Sequence, residues 1–142
     1  MSQTQEIVDA IQQLMIQSNK FVDIKNYLQS GKEEKTFDFP LCAILVENDA
    51  LSQMGSTKTE HVLTLTITYM TQNWSQEGNR LSYAFADGLE DLFKTNRTLT
   101  VTETVISLYM VQKMYGIDAG TDDSTIDGVT CEVECTYLVN SK

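Results

Sequence analysis

The chain has little of what enzymatic chemistry usually needs. Its 142 residues include one histidine, one proline, one tryptophan and three cysteines. His61 alone cannot build a histidine-based triad or a multi-histidine metal site, and it reads as a surface or edge residue at the start of a strand. Cys131 and Cys135 lie four apart and Cys42 stands alone, so the paired C-x-x-C units of structural zinc are missing. On a strand, positions 131 and 135 share a face ~13 Å apart, too far for a disulfide. The three thiols read as small buried hydrophobes of a reducing compartment. Gly-rich phosphate motifs are absent as well, and the Lys58 of GSTKTE lacks the Walker spacing.

Positive charge is also scarce. Ten Lys and Arg face twenty Asp and Glu, for a net charge of −10 and a pI near 4.4. Such a molecule repels DNA, RNA and anionic lipid, and its densest basic group, GKEEK, is diluted by Glu33 and Glu34. No apolar run approaches ~18 residues, so no membrane-crossing helix is expected. The start MSQTQEIVDAIQQ has no basic opening and no long apolar block, which argues against a signal peptide. A soluble protein made in the cytoplasm is expected.

What the chain does have is a hydrophobic period that changes along its length. Ser2 and Gln5 can form a capping box, and Ile7, Val8, Ile11, Leu14 and Met15 then mark one helical face that should end near Ser18–Asn19. FVDIKNYL (21–28) is a weaker strand candidate, and QSGKEEKT reads as a turn or mobile loop. LCAILV (41–46) is a continuous apolar run, the mark of a strand covered on both faces. ALSQMGSTKTE (50–60) is polar and reads as a long flexible connection.

His61–Met70 alternates, with Leu63, Leu65, Ile67 and Tyr69 toward the core and threonines on the other face. QNWSQEGN (72–79) reads as a loop, with Ser75 as N-cap of the next helix. Leu81, Ala84, Phe85, Gly88, Leu89 and Leu92 follow helical spacing, and a close approach to the sheet would explain Gly88. The rest reads as β: a short strand with a turn over 98–105, a longer strand over 106–114, an acidic loop over 119–128, and an alternating strand from Val129 to Val139. The expected fold is a single α+β domain over residues 1–142, a largely antiparallel (mixed) sheet with two helices packed on it.

Two acidic groups remain. Asp87, Glu90 and Asp91 share the polar face of the second helix, where Glu90 has Lys94 at i+4, so a solvated face or a subunit contact is preferred to acid–base chemistry. Asp118, Asp122, Asp123 and Asp127 crowd one loop but lack the EF-hand pattern, which suits a solvated or pore-lining loop. Met54 and Trp74 are large apolar residues in expected loops and mark a candidate binding surface.

The order of elements, with helix LSYAFADGLEDLF and the ending IDGVTCEVECTYLV, resembles the tail-terminator (tail-completion) proteins of long-tailed bacteriophages. The resemblance implies an α+β domain that assembles as a homohexameric ring in the virion. That ring caps the head-proximal end of the tail tube, ends its polymerisation and docks to a head-closure or neck protein. DNA passes through its channel without specific binding, and neither catalysis, cofactor, metal nor membrane is implied. Under this expectation Gln53, Met54 and Trp74 serve docking, and Asp122 and Asp123 lie near the channel. The alternatives are another neck or head-closure component, a tail tube subunit, a small carboxylate-based enzyme, and a monomeric ligand-binding adaptor.

Overall fold

Six strands build one mixed, curled sheet, and two helices pack on it. The computed structural model describes residues 2–29, 40–73, 77–102, 104–115 and 125–140. In chain order the elements are α1 (Gln3–Gln17), β1 (Asn26–Gln29), β2 (Leu41–Met54), β3 (Lys58–Asn73), α2 (Glu77–Thr95), β4 (Thr98–Val101), β5 (Thr104–Tyr115) and β6 (Thr125–Asn140). The sheet order is β1-β2-β3-β6-β5-β4; only the β1–β2 pairing is parallel. The α+β architecture expected from the sequence is therefore present.

α1 starts where a helix with orphan N–H groups needs an acceptor. Ser2 sits in extended backbone and its Oγ accepts from the Gln5 amide at 3.1 Å. The capping box is half-made, because the Gln5 side chain does not reach back. Its Nε2 donates instead to Gln29 Oε1 at 2.7 Å and to Asp9 Oδ1 at 3.0 Å. Gln29 Nε2 in turn donates to Gln12 and Asp9, so a buried glutamine on β1 is satisfied by three polar residues of α1. The helix ends at Ser18, and Asn19 follows with φ 62°, a left-handed stop that asparagine tolerates.

The core is the helix-covered face of the sheet. Ile7, Val8, Ile11 and Met15 of α1 meet the alternate residues of β3 and β6, from Leu63 to Tyr69 and from Val129 to Tyr137. The LCAILV run is buried from Leu41 to Ile44 on both faces, but Leu45 is 38% exposed. α2 presents a slightly different stripe from the expected one. Ser82, Phe85, Ala86, Leu89, Leu92 and Phe93 are buried, while Leu81 and Ala84 are exposed. The stripe is set by where Phe85 stacks on Tyr69, ring centroids 4.7 Å apart.

Gly88 is not explained by approach to the sheet: a Cβ there would lie 3.5 Å from Cε1 of Phe21. Phe21 itself belongs to no strand; it is buried under α2 against Phe85, and the expected early strand shrinks to Asn26–Gln29. Since 3.5 Å is an ordinary contact, Gly88→Ala should raise stability by about 1 kcal/mol, measurable by urea denaturation.

Cys42, Cys131 and Cys135 are free and buried. Burial pushes all three thiols up, Cys131 and Cys135 to about 12. They should therefore resist a thiol reagent in the folded protein and all react once it is unfolded. A reagent count under both conditions checks this.

Candidate functional site: the hairpin arm and the sheet edges

The expected flexible connection over 50–60 is absent. β2 runs on to Met54, turns through residues 55–57 with Gly55 at φ 73°, and returns as β3 from Lys58. Position-by-position pairing continues from Asn48–Thr64 to Met54–Lys58. The result is a hairpin arm, exposed from Glu47 to Lys58, whose β3 strand stays paired with β6 out to Lys58–Asn140. Leu51 is 62% exposed and Met54 50%. Gln53 lies beside them and braces the turn, its Nε2 donating to the Gly55 carbonyl at 2.9 Å.

The final strand also starts earlier than expected, at Thr125, so the acidic stretch 119–128 ends inside β6. Likewise the expected loop 72–79 is largely ordered elements: β3 ends at Asn73 and α2 starts at Glu77. Of the candidate site residues, Gln53 and Met54 are thus adjacent on the arm. Trp74, Asp122 and Asp123 lie outside the described residues. So do Ser75 and Asp118, while Asp127 pairs with Thr71 across the β3–β6 ladder.

His61 stands at the arm's base, half-buried and on a central strand, not at the expected sheet edge. β3 lies between β2 and β6, so His61 sits on a central strand. Its ring stacks on Tyr137 with centroids 4.7 Å apart and planes 8° apart, and its Nδ1 meets Asp49 Oδ1 at 3.0 Å. Its contacts tie β2 and β6 to β3 at this level.

Two sheet edges are bare over long stretches. Among the described residues, no strand flanks β2 beyond its four pairs with β1, or β5 beyond its four pairs with β4. Beside the bare half of β5 lies a groove of about 530 Å³ lined by Phe93, Met110, Val111 and Tyr115, with Lys94 and Arg97 at its rim. Lys113 points back from it to Asp87 at 2.9 Å and Glu90 at 2.6 Å, while Lys94 also holds Glu90 at 2.8 Å. The expected Glu90–Lys94 pair is present; Lys113 is the partner that sequence spacing could not supply. Hydrogen bonds from Lys113 and then Lys94 draw the Glu90 carboxyl down to about 2.

Among the described residues, no group of three His, Cys, Asp or Glu is placed to hold a metal ion. The described helices include none long and apolar enough to cross a membrane.

No protein-family model matches this chain, and no curated protein matches it. The fold, however, recurs among solved structures, with 34 matching chains. One of them, whose name states no activity, superposes with a TM-score of 0.61 at 11% identity, covering 95% of this chain and 96% of that one. At that identity the likeness is one of fold alone.

Proposed function

We propose that the protein works by assembly, as a tail-terminator-like ring subunit of a long-tailed bacteriophage. The observation that carries this reading is the hairpin arm. An ordered β-ribbon that projects beyond the core with Leu51 and Met54 in water contributes little to its own fold and is suited to a partner. In this reading the arm, with Gln53 and Met54 at its tip, docks to the end ring of the tail tube; Asn73, the described neighbour of Trp74, ends β3 at the opposite end from that tip. A homohexamer closes around the DNA channel, with Asp122 and Asp123 toward it. The opposite face meets the head-closure or neck protein. The net charge of −10 keeps passing DNA from sticking. The protein is made in the host cytoplasm and resides in the virion, and the reading requires no cofactor.

Mass measurement and electron microscopy of the purified protein, with and without tail tubes, test it. One ring at one end of each tube, with growth stopped, is expected. Long tubes formed by the protein alone would make it a tube subunit. Binding to heads but not tubes would make it a neck component. A monomer that ignores tubes and turns over a substrate would sink the reading.

A further inference from the structure

The ladders let each strand be read against the others, and the two edges then show matching steps. Thr98 of β4 pairs with Ser107, which stands level with Thr136, Val62 and Ala50. β4 therefore covers β5 over the same levels at which β2, on the far side of the sheet, has no flanking strand among the described residues. At the other end Gln29 of β1 stands level with Ile44, Ile67, Cys131 and Lys113. So β1 covers β2 over the levels at which β5 is bare. One edge projects above and is recessed below, and the other is its complement.

From this we propose that copies of this chain join edge to edge. β4 of one copy seats on the bare arm half of the next copy's β2, and β1 of that copy seats on the bare half of β5. The inference shares with the proposed function the requirement that copies meet and the use of the arm residues Leu51 and Gln53, and it stands if tail tubes are ignored.

Four observations favour a second copy as the occupant. Strand direction is consistent: with strands of both copies pointing the same way, β4 meets β2 in parallel and β1 meets β5 antiparallel. Side chains match by face, since Leu99 falls level with exposed Leu51, and half-buried Leu28 with Met114, which is 43% exposed. The two outermost strands carry no charge, for β1 is NYLQ and β4 is TLTV; the charges of these edges lie on the bare halves of β2 and β5.

Charge then selects the pairing. The Arg97 carbonyl accepts from the Leu108 amide, which places Arg97 level with Cys135, Leu63 and Asp49. Across the seam it meets the neighbour's exposed Asp49 and Glu47. A two-fold pairing of the β4–β5 edge with itself would also fit the steps, but it turns Arg97 toward the other copy's Arg97 instead of toward Asp49 and Glu47. The contact is thus heterologous. Because the steps meet at equal levels, successive copies need no rise, which suits a closed ring.

Thiol cross-linking tests this, because the native cysteines are buried. Within one chain, positions 52 and 100 are separated by four strand spacings, about 19 Å, beyond a disulfide's reach. The double variant Thr100→Cys, Ser52→Cys should give a ladder of oligomers beyond the dimer on oxidation at high protein concentration, and so should Leu28→Cys, Met114→Cys. Arg97→Glu added to either should lower the ladder about tenfold, and Asp49→Lys with it should restore part of the yield. All substituted sites but Leu28 are exposed, and circular dichroism verifies each fold. Dimers from Thr100→Cys, Met114→Cys without ladders from the first two variants would establish the two-fold pairing and overturn the proposal. Folded variants that give no cross-link would also overturn it. Tube capping is read separately by microscopy, so failure of the seam and failure of the terminator reading are distinguishable.

Discussion

A chain whose arm has been cut back should fold normally and fail to cap a tail tube. Leu51 stands opposite His61 on the β2–β3 ladder, so an Asn-Gly pair can replace residues 52–60 and close a two-residue hairpin of matching twist. The excision takes away Gln53, Met54 and the Gly55 turn. Residues 52–58 are all exposed, and Thr59 and Glu60 are only half-buried, so the core from Leu63 to Tyr69 keeps its partners. The His61–Asp49 contact and the Tyr137 stack lie on the body side of the cut and are kept. Surface changes of this kind typically leave stability within about 0.5 kcal/mol; the loss of three β6 pairings, at 138–140, will add some fraying.

Binding is another matter. Met54 is half exposed, so covering it on a partner contributes about 1 kcal/mol, roughly a fivefold change in affinity, before the loss of the backbone around it. Thermal denaturation should show a midpoint within a few degrees of the native one, while electron microscopy shows tubes growing without a cap. A shortened chain that still terminated tubes would remove the arm from the function.

The arm also shows where sequence reasoning reaches its limit. The helices and the central strands were legible because each buries one face, and burial writes a period: Ile7, Val8, Ile11 and Met15 at helical spacing, Leu63 to Tyr69 and Val129 to Tyr137 at every second residue. A ribbon with water on both faces writes no period. ALSQMGSTKTE is mostly polar and does not alternate, and only the central Gly55 between Met54 and the threonines hinted at a turn between paired strands. The β1–β2 pairing was hidden for a related reason. Four residues of parallel strand carry no alternation, and Gln29 is buried only because Gln5, Asp9 and Gln12 of α1 reach it.

The candidate site divides the same way. Gln53 and Met54 are exposed, as residues of a loop would be, but they stand at the end of an ordered strand. The Lys113 knot joins α2 to β5 across 26 residues of chain, and no spacing rule connects them. The step in each edge is a property of register: where β1 stops along β2, and where β4 stops along β5. Register depends on all the ladders at once, so it becomes visible only in the folded sheet.

Ile67→Ala should be the most damaging single substitution of the core. Ile67 lies near the centre of β3, fully buried, with Ile44 beside it on β2 and Cys131 on β6. Ile67 also belongs to the same buried cluster as Leu89 and Phe85 of α2 and Ile11 of α1, so both helices depend on a common floor. Truncation to alanine removes three carbons from a site bounded by hydrogen-bonded strands, which cannot collapse into the space. The cost should be about 2–5 kcal/mol, a large share of the roughly 5–15 kcal/mol that holds an ordinary domain together. On a chain of this size the thermal midpoint should fall by roughly 10 °C or more.

Thr64→Ala, three residues away on the face that the helices leave uncovered, is the matched control. Thr64 is half-buried and lies between Asn48 and Glu134, so its loss should stay within about 0.5 kcal/mol. Urea denaturation of both variants reads the difference. Equal costs would mean that the second face of β3 is packed as tightly as the first, and the single helix-covered core would have to be abandoned.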